Sequence, residues 1–219
     1  MGKQIRIHSK KVLSKMIIKF DHLTYVTDEG HYDFVHNRMG QNGYSLKFKE
    51  INLRNIQPKI PFLLLENTHH SMYYYEADRG LPIEIVVYNR LRPGFPTVDY
   101  TYNNRDFTLK TQNNSKLCAL LKALGVQMNN DSSCRLNGLF DKAPINAVLQ
   151  VETTVEPVLD TEGFCCPTLL VDSYERVKNG IESGGGFCTE MEELNVNGRQ
   201  LKVFFAIAGS TIIELISSK

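Results

Sequence analysis

The 219-residue chain has almost no charge imbalance: 25 Lys and Arg stand against 24 Asp and Glu, a formal net charge of +1. A near-neutral chain sets up no field that gathers nucleic acid or an anionic membrane surface, so neither partner is expected. It lacks any apolar run approaching the roughly 18–20 residues that span a bilayer. Its five cysteines (Cys118, Cys134, Cys165, Cys166 and Cys188) are odd in number and contain no CxxC pair. That is the pattern of a reduced chain rather than a disulfide framework, and a cytoplasmic location is expected. There is no GxSxG, HExxH or dinucleotide fingerprint. The stretch "ESGGGF" follows a helical pattern instead of opening one and lacks GK[ST], which excludes a phosphate loop. Residues 1–15 read as a basic leader without the continuous apolar core of a secretory signal.

What the sequence does contain is two acids in unusual places. "LPIEIVVY" (81–88) carries Glu84 and "STIIELIS" (210–217) carries Glu214, each in an otherwise apolar run of strand length. A carboxylate with apolar neighbours on both faces is costly to desolvate unless positive charge meets it. A divalent cation would supply that charge.

The two runs close similar units. Three stretches share the order strand, helix, strands: 16–90, 105–153 and 164–219, joined by linkers at 91–104 and 154–163. The first opens with "IIKFDHLTYVTD" (17–28), followed by a helix with Tyr32, Val35 and Met39 on one face. Its later strands are "PFLLLEN", "SMYYYEA" and "LPIEIVVY". The second, degenerate unit opens with "RDFTLKTQ" and has the clearest helix. Asn114 or Ser115 caps it, Leu117, Leu120, Leu121 and Leu124 form its stripe, and Gly125 stops it. The third opens with "CPTLLVDS", where Ser173 caps a helix striped by Tyr174, Val177 and Ile181. "FCTEMEELNV" follows as a strand, and Asn197-Gly198 marks a hairpin. Laid together without gaps, the opening strands superpose Thr24, Thr108 and Thr168, and place His22, Asp106 and Cys166 at one position. His69-His70 reads as a loop pair of which at most one joins a site. Tyr73–Tyr75, with Tyr25 and Tyr88, suit either a cavity wall or cross-strand packing.

"FDHLTYVTD", "GLPIEIVVY" and the segment from "TLLVDSYERVKNGIESGGGF" to "STIIELIS" resemble the vicinal oxygen chelate superfamily, which holds glyoxalase I, methylmalonyl-CoA epimerase, bleomycin-resistance proteins and extradiol dioxygenases. The resemblance implies an α+β fold of repeated βαβββ modules forming curved mixed sheets, with three candidate modules in this chain. It implies a divalent metal ion (zinc, nickel, cobalt, manganese or magnesium) held by His22, Glu84 and Glu214. Glu214 or Glu84 would move a proton next to a metal-chelated carbonyl of a small substrate, as in a lyase or isomerase. The second unit offers Asp106, and Gln150 in place of the acid; the third offers Cys166 in place of a His. Alternatives are a metal-free drug- or metabolite-binding protein, an extradiol-type dioxygenase and a non-catalytic accessory subunit. An odd module count points to a homodimer.

Overall fold

The structure is a computed structural model that describes residues 18–93, 106–138, 144–152 and 156–217. The basic leader, most of the first linker and part of the second lie outside the described residues. Among the described residues, thirteen strands and three α-helices run in chain order through three units. The first contains β1 (Ile18–Asp28), α1 (Tyr32–Gln41), β2 (Ser45–Arg54), β3 (His69–Glu76) and β4 (Ile83–Tyr88). The second contains β5 (Asp106–Thr111), α2 (Asn114–Ala123), β6 (Gln127–Asn130), β7 (Ser133–Asn137) and β8 (Pro144–Val151). The third contains β9 (Gly163–Val171), α3 (Tyr174–Ser183), β10 (Phe187–Cys188), β11 (Glu192–Val196), β12 (Arg199–Ala208) and β13 (Thr211–Ser217).

Each unit orders its strands alike, first–fourth–third–second, with the first and fourth parallel. In the third unit the second strand is split: β10 and β11 pair with opposite ends of β12. The expected continuous strand over 187–196 is thus interrupted. The first and third units join edge to edge, β1 antiparallel to β9, into one nine-stranded sheet. The second unit forms its own four-stranded sheet, β5-β8-β7-β6.

Side-chain alternation explains the two apolar runs. Ile83, Ile85 and Val87 of β4, like Ile213 and Leu215 of β13, enter one large core. That core also takes Val35 and Met39 of α1, Val177 and Ile181 of α3, Leu117, Leu120 and Leu121 of α2, and the inner residues of β5, β7 and β8. The second unit therefore covers the helical side of the nine-stranded sheet. The intervening residues Ile212 and Ile216 of β13 face the opposite side, in a second cluster with Ile56, Phe62, Val203 and Phe205. Both faces are covered, so both alternating sets are apolar.

Local signals account for the connections. Asn197 and Gly198 both take positive φ, 49° and 72°, as a two-residue hairpin demands. At Gly209 (φ 66°) a Cβ would stand 2.6 Å from the Thr111 hydroxyl, so the β12–β13 turn can press against the second unit. There Ser210 Oγ accepts from Gln112 N at 2.9 Å and Thr211 Oγ1 donates to Lys110 O at 2.7 Å. The cap of α2 is Asn113, one residue earlier than expected, accepting from Lys116 N at 3.0 Å. Ser173 caps α3 as expected.

"PFLLLEN" is not a strand. A 3-10 helix spans Gln57–Phe62, with Pro58 and Pro61 within it, and the chain then loops to β3. Two prolines remove two amide donors that a ladder would need. Fully buried Asp160, from the connection before β9, pins this loop by accepting from Leu64 N (3.0 Å), Leu65 N (2.8 Å) and Asn67 Nδ2 (3.2 Å). Among the described residues, no helix is long and apolar enough to cross a membrane.

Candidate metal centre

The β1–β9 pairing carries a pseudo-twofold relation that places the candidate residues. His22 pairs with Thr168 and Thr24 with Cys166, so position 22 corresponds to 166 and position 24 to 168. In parallel register, Thr24 faces Glu84 and Thr168 faces Glu214. The two acids are therefore equivalent, and both project to the side away from the helices. They line a cavity of about 850 Å³ together with His22.

His22, Glu84 and Glu214 each bring a ligand-type atom to within 4.8 Å of the others. His22 Nε2 lies 3.5 Å from Glu84 Oε2. That nitrogen is buried and has no hydrogen-bond partner among the described residues. The other ring nitrogen, Nδ1, contacts Asp21 Oδ2 at 2.7 Å. Neighbours on a regular strand point to opposite faces, but a register shift between Phe20 and His22 turns Asp21 onto the side of the imidazole. A carboxylate on one nitrogen fixes the tautomer that leaves the other nitrogen's lone pair for a metal. Asp21 was not singled out from the sequence, because nothing in a residue string marks a bulge.

The two glutamates differ in their restraints. Thr168 Oγ1 donates to Glu214 Oε2 at 2.9 Å. Its counterpart Thr24 has a buried hydroxyl with no hydrogen-bond partner among the described residues, since Glu84 turns towards His22 instead. Burial works against charge on His22, but the bond to Asp21 and the negative charges of Glu84, Asp21 and Glu214 outweigh it and push the imidazole up to about 9. Burial likewise pushes the Glu84 carboxyl up to about 7, against the pull of His22. Positive charge from His22 and from Lys59, which also lines the cavity, already meets Glu84.

The remaining expectations separate cleanly. Cys166 is buried within the apolar cluster of Ile212, Phe205 and Leu159, and the three-residue group does not include it. Pro167 is accommodated because β9 begins its pairing with β13 only at Thr168. Asp106 is exposed and accepts from Asn146 Nδ2 at 2.9 Å, and the three-residue group does not include it. Gln150 is not the counterpart of the acids: β5 and β8 set Thr108 against Val148 and Lys110 against Gln150. Val148 holds the equivalent position and is 47% exposed.

His69 and His70 belong to β3 rather than to a loop, and His70 alone lines the cavity. Its Nδ1 is buried without a hydrogen-bond partner among the described residues. The tyrosine run divides by alternation. Tyr74 lines the cavity and stacks on Phe48 at 5.0 Å; Tyr73 stacks on Tyr32 at 4.1 Å on the other face, where Tyr75 OH meets His36 Nδ1 at 2.7 Å.

No family model matches the chain, and no curated protein does. Solved structures do. Methylmalonyl-CoA epimerase from Mycobacterium tuberculosis is similar over 96% of this chain and 95% of its own, at 10% identity and a TM-score of 0.45. Glyoxalase I from Zea mays is similar over 93% of this chain and 69% of its own, at 13% identity and a TM-score of 0.35. The Mn(II)-bound glyoxalase from Novosphingobium aromaticivorans is similar over 91% of this chain and 63% of its own, at 11% identity and a TM-score of 0.23. The strand order and pairing themselves show an α+β fold with two βαβββ modules joined at their first strands, the architecture that the resemblance in the sequence implies.

Proposed function

We propose that this protein is a metal-dependent enzyme of the vicinal oxygen chelate type, in which His22, Glu84 and Glu214 hold one divalent cation. The observation that carries the reading is the buried Nε2 of His22, without a hydrogen bond among the described residues, with Asp21 on the other ring nitrogen and two carboxylates on equivalent strands beside it. One nitrogen and two carboxylate ligands leave coordination positions open, as catalytic sites require. An all-nitrogen-and-oxygen set suits zinc, nickel, cobalt, manganese or magnesium. Bound there, the ion would supply Lewis acidity to vicinal oxygens of a small substrate.

The protein's own groups then divide the work. Glu214, tied by Thr168, is the fixed ligand. Glu84 lacks that tether and is the carboxylate that moves a proton on the carbon next to the carbonyl. The cavity supplies an apolar wall from Val203, Phe205, Leu201 and Ile216 against which an apolar part of the substrate would lie. The reaction class is that of a lyase or isomerase acting on a small molecule.

Metal analysis of the purified protein, repeated on Glu84→Gln and Glu214→Gln, tests this. Native protein should carry about one equivalent of a divalent ion, and each variant should lose it together with turnover. Native protein that binds small ligands in its cavity while ignoring metals would instead be a sequestering protein, a reading that the apolar wall also suits.

A further inference from the structure

The first unit differs from the other two in one connection. Its second and third strands are joined by Asn55–Thr68, whereas the matching turns are Asp131-Ser132 in the second unit and Asn197-Gly198 in the third. This inserted segment is firmly held. Buried Asn55 donates to Asn67 O at 2.6 Å, Asp160 grips the backbone beyond Phe62, and Leu159 N donates to Phe62 O at 2.8 Å. The ring of Phe62 packs at 5.8 Å from that of Phe205, and Gln57 N donates to Glu192 Oε2 at 2.7 Å. The last contact crosses from the first unit to the third, as does the bond from Asn197 N to Glu50 Oε1 at 2.8 Å.

The segment thus lies over the cavity and presents Lys59 to it. The ammonium sits 5.4 Å from the centroid of the Tyr88 ring. Burial works against its charge, but Tyr88, Glu214 and Glu84 together hold it above the ordinary lysine range. Beside it stands His70, which burial first and the Lys59 charge second keep well below the usual imidazole range. A cation placed next to a metal-binding cluster weakens binding of the metal by like-charge repulsion. Such a lysine, fixed by an insertion the sister units lack, gains a purpose when an anionic ligand lies between the two positive centres. A preorganised cation loses little freedom on pairing with that ligand.

We propose that Lys59 is the substrate-recognition residue of this site and that the substrate is an amphipathic organic acid. Its carboxylate pairs with Lys59, its adjacent oxygen faces the metal position, and its apolar tail lies against Val203, Phe205 and Ile216. His70 Nδ1 serves the same anionic end as a hydrogen-bonding partner. The vicinal-oxygen part of this assignment rests on the metal reading above; the carboxylate–Lys59 contact does not.

Two probes separate the parts. Phenylpyruvate and 1-phenyl-1,2-propanedione both offer vicinal oxygens and a phenyl tail, and only the first offers a carboxylate. Calorimetric titration of each into the full chain, with and without one equivalent of zinc, gives the comparison for native protein, Lys59→Met and Lys59→Arg. Native protein should favour the acid by about tenfold to a hundredfold, the range of a charge-assisted hydrogen bond. Lys59→Met should erase that preference while the protein still binds the dione and holds zinc at least as tightly, and Lys59→Arg should restore part of it. Melting curves verify that the variants fold. Failure of native protein to bind the acid, equal affinity for both probes, or an equal loss of both in Lys59→Met overturns the proposal. Lysine-dependent binding of the acid that is indifferent to zinc upholds Lys59 and overturns the metal reading alone.

Discussion

The nine-stranded sheet and the four-stranded sheet are built from the same βαβββ unit, yet among the described residues only the first gathers a cluster of metal-compatible side chains. In the first and third units, Glu84 and Glu214 stand opposite Thr24 and Thr168, and the β1–β9 junction brings both to His22. In the second unit, Val148 stands opposite Thr108 on a face that also exposes Asp106, Lys110 and Asn146. Its other face, with Leu109, Ala147 and Leu149, belongs to the shared core. The second unit kept the packing half of the design and not the chemical half. A carboxylate on an exposed face costs nothing to hydrate; one in a covered cavity calls for positive charge close by.

The largest expected effect breaks this contrast directly. Glu214→Gln should abolish stoichiometric metal binding, whereas Val148→Glu should confer none on the second unit, as read by equilibrium dialysis with zinc. Metal captured by Val148→Glu would mean that enclosure between paired units is unnecessary.

The next effect is on stability against pH. His22 is raised from 6.5 to about 9 in the folded protein, so its contribution is fully present below about pH 6.5 and lost as pH rises through about 9, on the order of 3 kcal/mol at most. Glu84, raised from 4.5 to about 7, acts in the same direction between those values. Metal-free protein should therefore melt at progressively lower temperature from pH 5 to 9. Zinc-loaded protein should not show that decline, because the ion takes the place of the protons. Parallel melting curves with and without zinc decide the matter.

A smaller effect concerns the bulge. Asp21→Asn keeps the shape but removes the charge that orients His22, and should weaken metal affinity by about 10- to 100-fold without unfolding the chain. An unchanged affinity would reduce Asp21 to a neighbour of the imidazole. Smallest of all, Asn113→Ala and Ser173→Ala each remove a helix cap and should cost about 1 kcal/mol in urea melts. Neither should alter metal binding, since both helices lie on the face away from the cavity.

Much of the fold was legible because it follows from periodicity. The stripe Leu117, Leu120, Leu121, Leu124, the Ser173 cap and the Asn197-Gly198 hairpin are local patterns with local causes. The misreadings share a cause too. "PFLLLEN" is apolar enough for a strand, yet its neighbouring prolines and the grip of Asp160, nearly a hundred residues away, hold it as a helical turn and loop. The resemblance points to Gln150 in the place of the acid, whereas the parallel register puts the equivalent position two residues back, at Val148. Asp21 and Lys59 were invisible as site residues: the first needs a bulge, the second an insertion folded over a cavity formed by distant strands.

On its own, the order of residues determined the three helices and most of the strands, and which face of each is apolar, because those choices depend on neighbours within a few positions. It also marked Glu84 and Glu214 as acids set in apolar strands. Only the tertiary structure decided that the first and third units share an edge while the second does not, and hence which acids meet. Edge pairing depends on the register between strands more than a hundred residues apart, and no local pattern carries that information.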